Sequence, residues 1–135
     1  MPSRRWGYIA ALAMAALLTT SCGGDKVTAP TPADRAKFVD TWAGSYSCPG
    51  GAPSPDTLVI RLGGGALDFS IIIHAGFANP DTVFGELAEP NLVRLPEQSM
   101  GGAPGTAQIA PQGALLEYKQ TGLGITCGGT YARVP

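Results

Sequence analysis

The 135-residue chain carries nine Lys and Arg against ten Asp and Glu, a net charge of −1, and no basic run of the kind that binds nucleic acid. Nineteen Gly, twelve Pro and only 14% charged residues describe a turn-rich β protein, whereas 44% hydrophobic content in alternating runs excludes wholesale disorder. The length suits one small domain.

Arg4 and Arg5 precede an almost uncharged apolar run from Trp6 to Leu18. A run of about a dozen residues is too short for a membrane-spanning helix, which needs roughly 20, and it matches the apolar region of a secretory leader. The next residues, Leu18-Thr19-Thr20-Ser21-Cys22, resemble the bacterial lipobox, in which a cysteine follows a leucine and two small residues; Thr19 stands where leucine is usual. The resemblance implies a lipoprotein signal peptide over residues 1–21 and lipidation of Cys22 through a thioether to diacylglycerol. The competing readings are a plain secreted protein and a short membrane anchor. Gly23 rather than Asp after the cysteine implies sorting to the outer membrane in a diderm bacterium. The membrane is then a partner through the lipid anchor. Two or more acyl chains make such an anchor stable, whereas one is marginal.

Residues 22–32 read as a flexible tether, with Gly23-Gly24 at its start and Pro30 and Pro32 near its end. Thr31 is placed to cap a short helix over residues 33–39, with Pro32 at the first helical position and Asp34 three residues past the cap. Phe38 is its docking residue. From there residues 33–135 read as strand, turn, strand. The expected strands cover residues 41–48, 57–62, 66–74, 82–87, 92–96, 106–110, 114–121 and 125–134. In the second, Leu58, Ile60 and Leu62 share one face; in the third, Leu67, Phe69, Ile71 and Ile73 point inward while Asp68, Ser70 and His74 point outward. Gly63-Gly64-Gly65, Asn79-Pro80-Asp81, Glu89-Pro90-Asn91, Pro111-Gln112-Gly113 and residues 122–124 are turns, and residues 49–56 and 100–105 are longer loops.

About eight short strands joined by turns, with no helix between them, predict antiparallel pairing throughout. An up-and-down barrel closes such a meander without exposed edges, and a two-sheet sandwich is the alternative. In an exported protein, Cys48 near the end of the first strand and Cys127 in the last are most simply a disulfide, ahead of a metal pair or free thiols. A bridge needs Cα atoms within roughly 7 Å, so it makes the first and last strands neighbours, as barrel closure requires.

The pattern Phe38-x-x-x-Trp42-x-Gly44-x-Tyr46-x-Cys48 resembles the opening of small bacterial lipocalin-like lipoproteins with calycin-type barrels. Cys127-x-Gly129-x-Tyr131-x-Arg133 resembles their closing strand, and Phe84-Gly85-Glu86-Leu87 with Leu92-Val93-Arg94-Leu95-Pro96-Glu97-Gln98 is similar to their middle hairpin. The resemblance implies a barrel and export, and no particular activity.

Motifs for catalysis are sparse. His74 is the sole histidine; paired with Ser45, Ser47 or Ser70 and Asp68 it makes no compact triad, because Asp68 lies about 20 Å along the same strand. The simplest reading is a surface histidine beside a turn. Glu86, Glu89 and Asp81 read as solvated turn acids, and the triple glycine lacks the Lys and Ser/Thr of a phosphate loop. No metal set or cofactor motif is present in the sequence, and no enzyme is expected. Two functions remain. One is a protein-interaction or inhibitor-like module of the cell envelope, acting through residues 49–56 or 100–105. The other is carriage of a small apolar ligand or lipid in a cavity lined by Trp42, Tyr46, Leu58, Ile60, Phe69, Ile71, Tyr118 and Tyr131. A barrel this small tends to fill with side chains, which favours the first.

Overall fold

The computed structural model describes residues 26–135, so the expected signal peptide, Cys22 and the start of the tether lie outside the described residues. Thr31 and Asp34 form the expected capping box: the Thr31 backbone N–H and hydroxyl donate to Asp34 Oδ2 at 2.8 and 2.9 Å. The turn they start is a 3-10 helix, Pro32–Lys37, rather than an α-helix over residues 33–39. The tighter winding completes the segment before the first strand begins at Asp40.

Eight antiparallel strands follow: β1 (Asp40–Tyr46), β2 (Ser54–Leu62), β3 (Asp68–Ile73), β4 (Asp81–Glu89), β5 (Leu92–Met100), β6 (Ala103–Gln112), β7 (Leu115–Gly122) and β8 (Ile125–Arg133). Each pairs with its successor, and β8 returns to β1, giving a closed up-and-down barrel consistent with a calycin-like fold. The sandwich alternative is excluded. Residues 100–105 do not form a loop: β5 runs through Met100, β6 starts at Ala103, and Gly101-Gly102 makes a tight turn. Positive φ at both glycines supplies the twist a two-residue hairpin needs.

The closing seam is short. Trp42, Ala43 and Gly44 pair with Arg133, Ala132 and Tyr131, and one further bridge joins Ser47 to Gly128. Glycine permits the close approach: a Cβ on Gly44 would collide with the Thr130 carbonyl, and one on Gly129 with the Ser45 carbonyl. The Cys48–Cys127 disulfide fastens the same seam, with Cα atoms 4.2 Å apart.

Inward positions alternate as the sequence predicts, with one exception. Leu62, expected inward with Leu58 and Ile60, is the last residue of β2 and lies exposed at the barrel rim. Leu58, Ile60, Phe69, Ile71, Tyr118 and Tyr131 are each at most 1% exposed and belong to one continuous core. A side chain lining even a water-sized void would keep accessible area on that side, so the interior around them is filled.

The two ends differ. The 3-10 helix closes one end: Phe38 packs edge-on against Phe69, and its carbonyl accepts from Trp42 Nε1 at 2.8 Å. Arg35 donates to the Gly65 carbonyl, and Lys37 to the Pro90 carbonyl and Asn91 Oδ1, lashing this plug to the β2–β3 and β4–β5 turns. The opposite end, the loop end, gathers the β1–β2 loop, the β3–β4 loop and the β5–β6 and β7–β8 turns.

Candidate functional site

The polar groups buried in the barrel converge towards the loop end. Asp56 is 3% exposed, the one charged or polar residue in the core among the described residues. It belongs to β2, not to a loop as expected, and its position in the alternation puts it inward with Leu58 and Ile60. Register explains how it is satisfied. Gly44 of β1 pairs with Asp56 on one side and Tyr131 of β8 on the other. With no side chain between them, the Tyr131 hydroxyl reaches across and donates to Asp56 Oδ2 at 2.6 Å. The Thr57 amide donates to Oδ1 at 2.8 Å, and His74 Nδ1 lies 3.1 Å from Oδ2.

His74 is not the outward surface histidine that strand alternation predicts. The strand ends at Ile73, and His74 takes a left-handed backbone, φ 55°, that breaks the alternation and turns its ring into the barrel mouth. There Nε2 lies 3.3 Å from Gln120 Oε1, which also accepts the Tyr118 hydroxyl at 2.7 Å. Tyr46 sits edge-on to the imidazole at 4.6 Å between centroids, and Phe77 at 5.4 Å. Among the described residues no buried side-chain nitrogen or oxygen lacks a partner.

The electrostatics follow from the contacts. Burial opposes the charged form of Asp56, but hydrogen bonds from His74 and Tyr131, the His74 charge and the Thr57 amide outweigh it and hold the carboxyl below its ordinary 3.8. Burial also disfavours charge on His74, yet the hydrogen bond and charge of Asp56, the Gln120 oxygen and the more distant Asp81 raise it above 6.5. Tyr118 and Tyr131 are pushed far up, first by burial and then by neighbouring groups, so both hydroxyls serve as donors.

Of the eight residues expected to line a ligand space, Tyr46, Tyr118 and Tyr131 meet in this network. Leu58, Ile60, Phe69 and Ile71 pack in the core, and Trp42 joins the same core at the plugged end, under the Arg133 guanidinium. The polar residues missed by sequence reasoning, Asp56 and Gln120, had a signal: each shares the inward parity of its strand, with Leu58 and Ile60 or with Leu116 and Tyr118. As chemistry, the set holds a histidine in place without a nucleophile beside it; Nε2 is occupied by Gln120. No group of three or more metal-binding side chains occurs among the described residues.

The surface around this network carries little charge beyond Asp81, whose carboxylate accepts from the Gly101 amide at 3.0 Å. Residues 47–53, 74–80, 101–102 and 123–124 contain no Lys, Arg, Asp or Glu. Leu123 is 81% exposed, Ile125 53% and Phe77 40%. Leu123 and Ile125 flank a cleft of about 110 Å³ whose wall includes Tyr46, Gln120 and Cys127. A larger hollow of about 590 Å³ lies beside Glu86, Arg94, Thr106 and Gln108 of β4, β5 and β6.

No protein-family profile matches the chain, and no curated protein sequence matches it either.

Proposed function

We propose that this chain is a lipid-anchored cell-envelope protein of lipocalin-like type whose barrel is a non-enzymatic docking module, and that a protein partner engages its loop end. One observation carries the docking reading. Leu123 and Gly124 form the two-residue β7–β8 turn with φ of 51° and 75°, a turn that favours Asn, Asp or Gly at its first position. A leucine there carries left-handed strain of about 1–2 kcal/mol and presents its side chain to solvent. Stability of the fold supplies no reason for either. An apolar anchor for an uncharged pocket on a partner does, and the charge-free loops around it fit the same surface.

The anchor reading rests on the basic, apolar and cysteine-bearing sequence before residue 26. The tether would join the barrel at its plugged end, since the described chain enters through the 3-10 helix there. That leaves the loop end facing away from the point of attachment. The full burial of the core residues favours docking over carriage of an apolar ligand inside the barrel.

Docking is tested by placing a photo-cross-linking residue at position 125, beside Leu123, in cells that make the protein, with position 114, on the turn at the plugged end, as control. A discrete adduct from 125 that is absent from 114 is expected; no adduct, or equal adducts from both, refutes the reading. For the anchor, Cys22→Ser abolishes acyl labelling, and persistent labelling refutes it.

A further inference from the structure

Both ring nitrogens of His74 face oxygen acceptors, Asp56 Oδ2 at 3.1 Å and Gln120 Oε1 at 3.3 Å. Only the doubly protonated imidazole can donate to both. We propose that the Asp56–His74–Gln120 bridge is a proton-operated latch, which fixes the β3–β4 loop across the loop end while His74 is the imidazolium and loosens it when the proton leaves.

The bridge joins elements that are far apart in sequence. Asp56 belongs to β2 and Gln120 to β7, while His74 begins the loop over residues 74–80. Inside that loop the Ala75 amide donates to the Thr57 carbonyl at 3.0 Å and the Phe77 amide to the His74 carbonyl at 2.9 Å. Phe77 leans edge-on against the imidazole, so the ring sets where this exposed aromatic sits.

Loss of the proton leaves one group of the bridge unsatisfied. Neutral His74 keeps Nδ1–H for Asp56 and turns a bare lone pair on Nε2 toward the Gln120 oxygen. The Gln120 amide can rotate to offer its NH₂ to both Nε2 and the Tyr118 oxygen, but the Tyr118 hydroxyl proton then loses the acceptor it has at 2.7 Å. Tyr118 is fully buried, so that proton has no ready replacement. Either the loop contact at Nε2 or the acceptor of the Tyr118 proton is therefore given up.

The groups facing His74 from other elements favour the protonated state. Asp56 approaches from β2, Asp81 contributes from β4, Tyr46 from β1, Tyr118 and Gln120 from β7, and Tyr131 of β8 acts through Asp56. No Lys or Arg is among them. The sign follows: a pKa raised on folding adds stability that is complete below 6.5 and is lost as pH rises through the higher folded value.

The latch bears on docking only through the function proposed above, because it sets the position of Phe77 at the same end. Its test needs no partner. The oxidised protein is titrated by NMR, following the His74 ring and the hydrogen-exchange protection factors of the Ala75 and Phe77 amides. Protection should fall about tenfold as His74 deprotonates, which corresponds to ~1.4 kcal/mol, near the value of one hydrogen bond to a charged group. His74→Asn, which tolerates the left-handed backbone, should remove the step. Gln120→Met should lower the His74 pKa and reduce protection even in acid. A His74 pKa at or below 6.5, flat protection through its titration, or the same step in His74→Asn overturns the latch. A latch that titrates as expected beside a failed cross-link at position 125 would remove the docking reading alone.

Discussion

Asp56 is the most consequential single side chain in the barrel, and replacing it tests the site most severely. Its carboxylate accepts from Tyr131, His74 and Thr57 inside a core of otherwise apolar residues. Asp56→Asn keeps the shape but removes the charge and turns an NH₂ toward either the Thr57 amide or the Tyr131 and His74 donors. The loss of a charge-assisted hydrogen bond costs about 1.5–3 kcal/mol. Asp56→Ala goes further, leaving the Tyr131 hydroxyl and the His74 ring unpaired, for about 3–5 kcal/mol. Tyr131→Phe removes one bond to the carboxylate and should cost about 1.5–3 kcal/mol, with a smaller effect in the Asp56→Asn background because the two residues share that bond. Against a total stability of about 5–15 kcal/mol for such a domain, these are large fractions. Urea unfolding at pH 6 is the assay. Asp56, lowered below 3.8, contributes fully above that value, and His74, raised above 6.5, contributes fully below it, so pH 6 retains both. The Asp56→Asn deficit should shrink as pH falls through the folded pKa of Asp56. A deficit under about 0.5 kcal/mol at pH 6, the scatter of ordinary surface substitutions, refutes the reasoning.

Two further predictions concern the seam. Replacing Cys48 and Cys127 by Ser opens a crosslink spanning 79 residues, whose chain-entropy value is up to about 4.5 kcal/mol; urea unfolding should show a loss of about 2–4 kcal/mol, and no loss would mean the short β1–β8 pairing holds alone. Gly129→Ala drives a methyl into the Ser45 carbonyl and should cost more than about 2 kcal/mol, whereas Gly64→Ala, with open space around it, should stay within about 0.5 kcal/mol. Equal melting temperatures for the two variants would contradict the close-approach account.

The barrel was legible because its signals are local. Alternation in Leu58-x-Ile60 and Phe69-x-Ile71-x-Ile73, with glycine and proline turns between runs, placed all eight strands in order. The paired cysteines brought the ends together. Strand lengths were less legible: Pro96 and the glycines after Met100 read as a break, but Pro96 sits where β5 and β6 shift register and interrupts neither strand. The buried network was missed for a different reason. Asp56 lies 18 residues from His74, and Gln120 a further 46, so no local window contains the set. The parity of Asp56 and Gln120 within their strands did point inward. What parity could not show was the positive φ at His74, which reverses the face that simple alternation assigns.

If the loop end serves docking rather than the fold, Leu123→Asn separates the two roles. Thermal unfolding and cross-linking from position 125 are measured on the same variant. The melting temperature should equal or exceed that of the native sequence, because Asn suits the left-handed turn, and the adduct from 125 should be lost. A lowered melting temperature with the adduct retained would show that Leu123 serves the barrel itself and not a partner.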